Sequence, residues 1–255
     1  MKITSLIAVA IASMCVSASA MAGTIAYSTG SYNPWYNTTN DTAMNTAFGS
    51  GKWVKSNGFS ANVFANADFV FLDGSDSNAN EFNSFLSANR TAIATYVDNG
   101  GRLFLNAAPN QGGSIDLGFG VTLQYPGFSG QVNVTAAGVA AGLTTGGIAS
   151  AYQGGSFGHA TVSGGGISDL IESEQGGIVF GAMQYGKGFV AFGGQTTTNF
   201  HWPSNDAQLL LVNELQYVAS AETQGNADVP EPASLALLGL CALAIVAARR
   251  KSAAK

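Results

Sequence analysis

Residues 68–106 read DFVFLDGSDSNANEFNSFLSANRTAIATYVDNGGRLFLN, and this stretch decides the fold. Phe69-Val70-Phe71-Leu72 is a continuous apolar run, the pattern of a strand buried on both faces. Asp73 to Asn80 is polar. Phe82, Phe85, Leu86, Ile93, Tyr96 and Val97 then recur at three-to-four-residue spacing and define one face of a helix. Asn99-Gly100-Gly101 ends that helix, because glycine enters the left-handed cap without a Cβ clash. Leu103-Phe104-Leu105 is a second buried strand. Strand, helix and strand of these lengths form a βαβ unit, which predicts parallel strands and an α/β fold.

Working outward, Thr24 to Tyr27 reads as a short strand, and Asn40 or Asp41 as the cap of a helix through Phe48. Residues 107–176 are dense in glycine, with β-like pieces at Val121–Gln124 and Gln131–Val134, and read as a glycine-rich β insertion of loops and small antiparallel strands. Ile178-Val179-Phe180 and Phe189-Val190-Ala191-Phe192 flank Tyr185-Gly186-Lys187-Gly188, which predicts a hairpin. Ser204 to Asp206 caps a last helix with Leu211, Leu215 and Val218 on one face. An all-β sandwich is the alternative should 68–106 not form βαβ.

The two ends read differently. Lys2, the apolar run Leu6–Val16 and Ala18-Ser19-Ala20 or Ala20-Met21-Ala22 make a cleavable signal peptide over 1–22. At the other end stand Val229-Pro230-Glu231-Pro232, sixteen uncharged residues from Ala233 to Ala248, and Arg249-Arg250-Lys251. Sixteen helical residues at ~1.5 Å each reach about 24 Å, enough to span a bilayer when the flanking arginines snorkel. The basic cluster places Lys255 in the cytoplasm and everything before Pro230 outside. These three features in this order resemble the PEP-CTERM sorting signal of Gram-negative bacteria. The resemblance implies export, retention in the inner membrane through a helix over 233–248, and processing by an exosortase, a transpeptidase-like membrane enzyme. It also implies a surface or matrix setting associated with exopolysaccharide or biofilm.

Between the ends lies one extracytoplasmic domain, 23–219, followed by a polar linker, 220–228. From Gly23 to Asp228 there are five lysines and arginines against fourteen aspartates and glutamates, a net of −9. A surface of that sign repels phosphate backbones, so nucleic acid is excluded as a partner. Both cysteines, Cys15 and Cys241, fall in the sorting segments. The domain therefore has no disulfide, thiolate metal site or cysteine nucleophile.

The strand ending at Asp73, the helix ending in Asp98-Asn99-Gly100-Gly101, the strand Arg102–Asn106, the glycine hairpin and the last helix together resemble class I glutamine amidotransferase-like domains. That resemblance implies a flavodoxin-like parallel sheet. Those enzymes carry a nucleophilic cysteine after a central strand, whereas here the run is Asn106-Ala107-Ala108-Pro109-Asn110. Amidotransferase chemistry is rejected on that ground.

Four stretches invite a chemical reading. Gly49-Ser50-Gly51-Lys52 lacks the first glycine of a phosphate loop, and Trp53 stands where Ser or Thr is needed. Gly154-Gly155-Ser156-Phe157-Gly158 fits the G-x-S-x-G pattern, but a nucleophile elbow needs a strand before and a helix after, and Ala160-Thr161-Val162 reads as β. Asp73, Asp76, Asn78 and Asn80 offer oxygens, and Asp76-x-Asn78-x-Asn80 copies the first three ligand positions of a calcium loop that would begin at Asp76. The sixth position is Glu81 rather than glycine and the twelfth is Ser87, so a capping loop without metal is the plainer reading. His201, between Phe200 and Trp202-Pro203, has no nucleophile to deprotonate. Trp35, Tyr36 and Trp202 are of the type that stacks on sugar rings or closes a core edge.

The expectation is a non-enzymatic, exopolysaccharide-associated surface protein needing no cofactor, with calcium the one candidate. The alternative is an extracellular hydrolase using Ser156 or a carboxylate pair.

Overall fold

A computed structural model describes residues 24–125, 130–153 and 157–224. The expected signal peptide 1–22, the expected membrane helix 233–248 and the sorting residues Val229, Pro230, Glu231, Pro232, Arg249, Arg250 and Lys251 lie outside them. Among the described residues no helix is long and apolar enough to cross a membrane.

The chain runs β1 (Thr24–Thr29), α1 (Thr39–Phe48), β2 (Trp53–Asn57), β3 (Ala67–Asp73), α2 (Ala79–Asp98) and β4 (Arg102–Asn106). Then come β5 (Gly113–Gly118), β6 (Val121–Tyr125), β7 (Val132–Val134), α3 (Ala136–Ala140), β8 (Ala151–Tyr152), β9 (Thr161–Gly164) and β10 (Ser168–Ser173). The hairpin β11 (Ile178–Tyr185) and β12 (Gly188–Gly193) leads to α4 (Ser204–Ser220).

One sheet joins the twelve strands. Its main path is β2-β1-β3-β4-β12-β11-β10-β7-β8, and β9, β6 and β5 branch off β11. Strands β2, β1, β3, β4 and β12 are parallel neighbours. Every pairing beyond β12 is antiparallel.

This corrects the expected fold class. The sheet is mixed, not a flavodoxin-like parallel sheet carrying an insertion, and a single sheet with helices is not an all-β sandwich either. The reason lies in the glycine-rich stretch. Its tight turns, such as Phe119-Gly120 with φ of 57° and 75°, connect strands that can only run antiparallel. Residues 107–176 thus carry the sheet onward instead of standing apart from it.

The βαβ unit itself forms as the apolar pattern requires. Phe69 to Asp73 pair in parallel with Arg102 to Asn106. Successive residues of β3 enter two different cores. Phe69 and Phe71 join Phe104, Leu211 and Leu215 on one face, beneath α1 and α4. Val70 and Leu72 join Phe82, Phe85, Leu103 and Leu105 on the other, beneath α2. Cover on both faces is why the strand is apolar throughout. Tyr96 is half-buried and donates its hydroxyl to the Arg102 carbonyl at 3.0 Å.

Candidate binding edge

The carboxyl ends of the parallel strands form one edge. Thr29 is register partner of Asp73, Asp73 of Asn106, and Asn106 of Gly193. From β1 the chain passes to β2 on one side, and from β3 to β4 on the other. β1 and β3 therefore flank a topological switch point, where the loops diverge and leave a crevice.

Beneath this edge the polar side chains are sealed into a network. Asp73 is 2% exposed. Its Oδ1 accepts from Ser75 N at 3.0 Å, Ser75 Oγ at 2.5 Å and Asn106 Nδ2 at 3.3 Å. Its Oδ2 accepts from Asn40 Nδ2 at 2.6 Å, and the same amide reaches the Tyr27 hydroxyl at 3.2 Å. Burial pushes the Asp73 carboxyl up, and these donors pull against that shift. Burial, with the Asp73 charge second, also raises Tyr27 well above the usual phenol range. Asn106 continues the network by exchanging bonds with the Gln195 backbone, donating to its carbonyl at 3.0 Å and accepting from its N–H at 3.2 Å. The Gln195 side-chain amide donates to Glu214 Oε2 in a short contact.

Glu214 is fully buried, and burial lifts it to about 8, so it is protonated at neutral pH. Its Oε1 has no partner among the described residues. A cavity of about 10 Å³, the room of a single water, lies between Asn40, Asn106, Gln195, His201 and Glu214. His201 stacks on Phe157 at 4.0 Å between centroids and meets Thr196 Oγ1 at 2.8 Å through Nε2. Burial lowers it to about 3, so the ring is neutral.

Above the network the edge is aromatic. Trp35 and Tyr36 adopt left-handed backbone, φ 49° and 51°, after Pro34. That costs energy in bulky residues and persists where the surroundings hold it. Here the Trp35 N–H donates to Asp76 Oδ2 at 3.0 Å. Tyr36 meets Tyr32 at 5.9 Å, and Trp35 meets Phe200 at 5.5 Å and His159 at 6.2 Å, edge-on in both cases. His159 stacks on Tyr125 at 4.8 Å, and its Nε2 lies 2.9 Å from the Pro109 carbonyl oxygen. Trp202 is fixed by reciprocal backbone bonds with Gln153 at 2.7 and 2.8 Å. Tyr36 is 81% exposed, Trp202 65%, Tyr32 50% and Phe200 38%. All of the exposed large aromatics among the described residues lie on this edge.

The residues singled out in the sequence are distributed as follows. Asp73 faces inward. Asp76, itself at φ 58°, binds Trp35 N–H and accepts from Asn110 Nδ2. Asn78 is buried and donates to the Tyr32 carbonyl at 2.8 Å and to Thr29 Oγ1 at 3.3 Å. Asn80 is exposed on the first turn of α2. Among the described residues no group of three or more His, Cys, Asp or Glu is placed to hold a metal ion. Ser156, with Gly154 and Gly155, lies outside the described residues. His159 and His201 belong to different surroundings, one in the aromatic edge and one in the network. Trp35 meets Phe200 and Tyr36 meets Tyr32, while Trp202 is bonded through its backbone to Gln153. Asn40, Ser75, Asn106, Gln195 and Glu214 were not anticipated. One was within reach: Glu214 lies three residues after Leu211 and four before Val218, on the apolar face of α4.

Residues 228–251 match the PEP-CTERM protein-sorting motif. The chain carries an exosortase sorting signal. As a PEP-CTERM substrate it is exported, anchored in the membrane before cleavage, and processed by an exosortase. No curated protein matches the chain. Among solved structures it is similar to an exo-β-1,4-mannosidase from Opitutaceae bacterium strain TAV5 (10% identity, TM-score 0.48, 78% of this chain and 36% of that one). It is also similar to a ThuA-like protein from Parabacteroides merdae (14%, 0.47, 82% and 93%) and to a β-galactosidase from Rahnella sp. R3 (13%, 0.44, 76% and 31%). The chain thus spans about a third of the length of the mannosidase. Likenesses this remote carry no activity across, and none supports the resemblance to amidotransferase-like domains.

Proposed function

We propose that the exported domain is a non-catalytic module that binds neutral exopolysaccharide at the cell surface or in the biofilm matrix. The observation that carries this reading is the exposure of Tyr32, Tyr36, Phe200 and Trp202 on the loops that follow the carboxyl ends of β1 and β12. Exposed aromatic patches mark ligand surfaces, and flat rings pack on the C–H faces of pyranose units. The backbone bonds of Trp35 and Trp202 hold the loops that carry these rings, so little loop ordering is left for binding to supply.

Charge selects the polymer. The edge loops 30–38, 74–78, 107–112 and 194–203 contain no lysine or arginine, and Asp76 is their one acid. With a domain net of −9, a uronate polymer would be repelled and a neutral one would not. The buried carboxyls, Asp73 and Glu214, serve the framework: both are sealed from solvent, at 2% and 0% exposure, beneath the surface a glycan would touch. Titration of the mature protein with purified neutral and uronate polysaccharides tests the reading, with Tyr36→Ala and Trp202→Ala as the variants that should lose affinity.

A further inference from the structure

The described residues continue past α4 to Gln224. Residues 221–224 are strapped along the amino-terminal edge of the parallel strands, opposite the aromatic edge. Arg102 Nε donates to the Ala221 carbonyl at 2.8 Å, Gln184 Nε2 to the Glu222 carbonyl at 3.0 Å, and Gln224 N to the Lys187 carbonyl at 2.9 Å. Thr223 is 5% exposed. Beside the strap opens a groove of about 760 Å³ lined in part by Phe64, Asp68, Thr95, Tyr96, Arg102 and Thr223.

Residues 225–228 alone separate Gln224 from Val229 of the sorting motif. At ~3.3–3.6 Å per residue the five steps from Gln224 to Val229 reach at most about 18 Å, whatever path they take. An enzyme that cuts at the motif must bring its catalytic groups within about that distance of this edge.

We propose that the groove at the amino-terminal edge is a docking surface for the exosortase while the chain is anchored in the membrane. Charge favours a protein over the lipid surface itself. Around the groove Asp68, Asp98 and Glu222 outnumber Arg102 and Lys187, the wrong balance for anionic headgroups, which recruit clusters of basic residues. The lining, with Phe64 and Tyr96 flanked by Arg102, has the aromatic and arginine character of protein interfaces. β1 also begins at this edge, with Thr24 the register partner of Ala67. Both covalent ends of the domain therefore leave toward the enzyme, and the aromatic edge faces away from it. The proposal stands independently of glycan binding.

The test uses the full chain in cells that make the exosortase. A photoreactive benzophenone residue replaces Thr95, which is exposed on α2. The expected adduct is the exosortase, identified by mass. Thr95→Arg, which fills the groove, should slow processing in pulse-chase by about tenfold, the effect of losing ~1.4 kcal/mol of contact. Asp68→Arg, exposed at the start of β3, gives a second variant should the first fold poorly. Wild-type processing rates in both folded variants would overturn the proposal, as would an adduct with lipid alone or no adduct.

Discussion

The backbone N–H of Trp35 donates to the Asp76 carboxylate at 3.0 Å, and both residues hold left-handed backbone, φ 49° and 58°. One bond thus ties the loop after β1 to the loop after β3, across the switch point. It turns two strained loops into one support for the aromatic edge. Asp76→Ala removes the acceptor and leaves a residue that tolerates φ > 0 poorly, so stability should fall by about 1–2 kcal/mol. That corresponds to a melting shift of roughly 2–8 °C in a domain of this size. Asp76→Asn keeps an acceptor and a left-handed-tolerant residue and should recover most of the loss. Thermal melting of both variants checks this, and equal loss in the two would contradict it.

The oxygen-rich loop yields a second expectation. Asp73 and Asn78 turn inward, and Asp76 is engaged by Trp35 and Asn110. Millimolar calcium should therefore raise the melting temperature no more than millimolar magnesium. A calcium-selective rise that disappears in Asp76→Ala would make the loop a metal site.

Stability should depend on pH from both sides. Glu214 has a folded pKa of about 8 against an ordinary 4.5. Between those values the unfolded chain has released the proton and the folded chain has not, so stability falls as pH rises, by about 1.4 kcal/mol per unit at most. Asp73, also raised by burial, acts in the same sense. His201 has a folded pKa of about 3 against 6.5, so stability falls as pH drops through that window. The opposing slopes overlap between pH 4.5 and 6.5 and place the maximum there. Melting curves from pH 3 to 9 should show it, and Glu214→Gln should flatten the alkaline limb. An alkaline limb as steep in the variant as in the wild type would refute the assignment.

The sequence made some of this architecture legible and hid the rest for identifiable reasons. β3 and β4 were visible because both faces of each strand are covered, which leaves an unbroken apolar run. α2 showed its face because one side packs on β3 and β4. β2 is not visible, because Trp53–Asn57 is a half-exposed edge strand with no unbroken apolar run. Without β2 there is no strand on the far side of β1, and hence no switch point to read. The course of 107–176 is not legible, because glycine turns announce hairpins without saying which sheet they extend. In the site, Asp73 and the aromatic residues stood out by type. Asn106 and Gln195 did not, because a polar residue closing a strand looks the same whether it caps a turn or joins a buried network.

Processing gives a further expectation. Exosortase cleavage near Pro230-Glu231-Pro232 should remove the end of the chain, so mass spectrometry of the mature protein should find no peptide from residues 235–255. An intact tail on the surface form would contradict it.

The central claim is that the aromatic edge binds a neutral polysaccharide. Calorimetric titration of the mature protein with the cell's own neutral exopolysaccharide tests it most directly. Tyr36→Ala and Trp202→Ala alter exposed side chains, so each variant should keep the wild-type melting temperature within a degree or so, and each should lose about tenfold in affinity, ~1.4 kcal/mol. A uronate polymer should give no heat with any of the three proteins. Unchanged affinity in both variants, or tighter binding of the uronate polymer, would contradict the account.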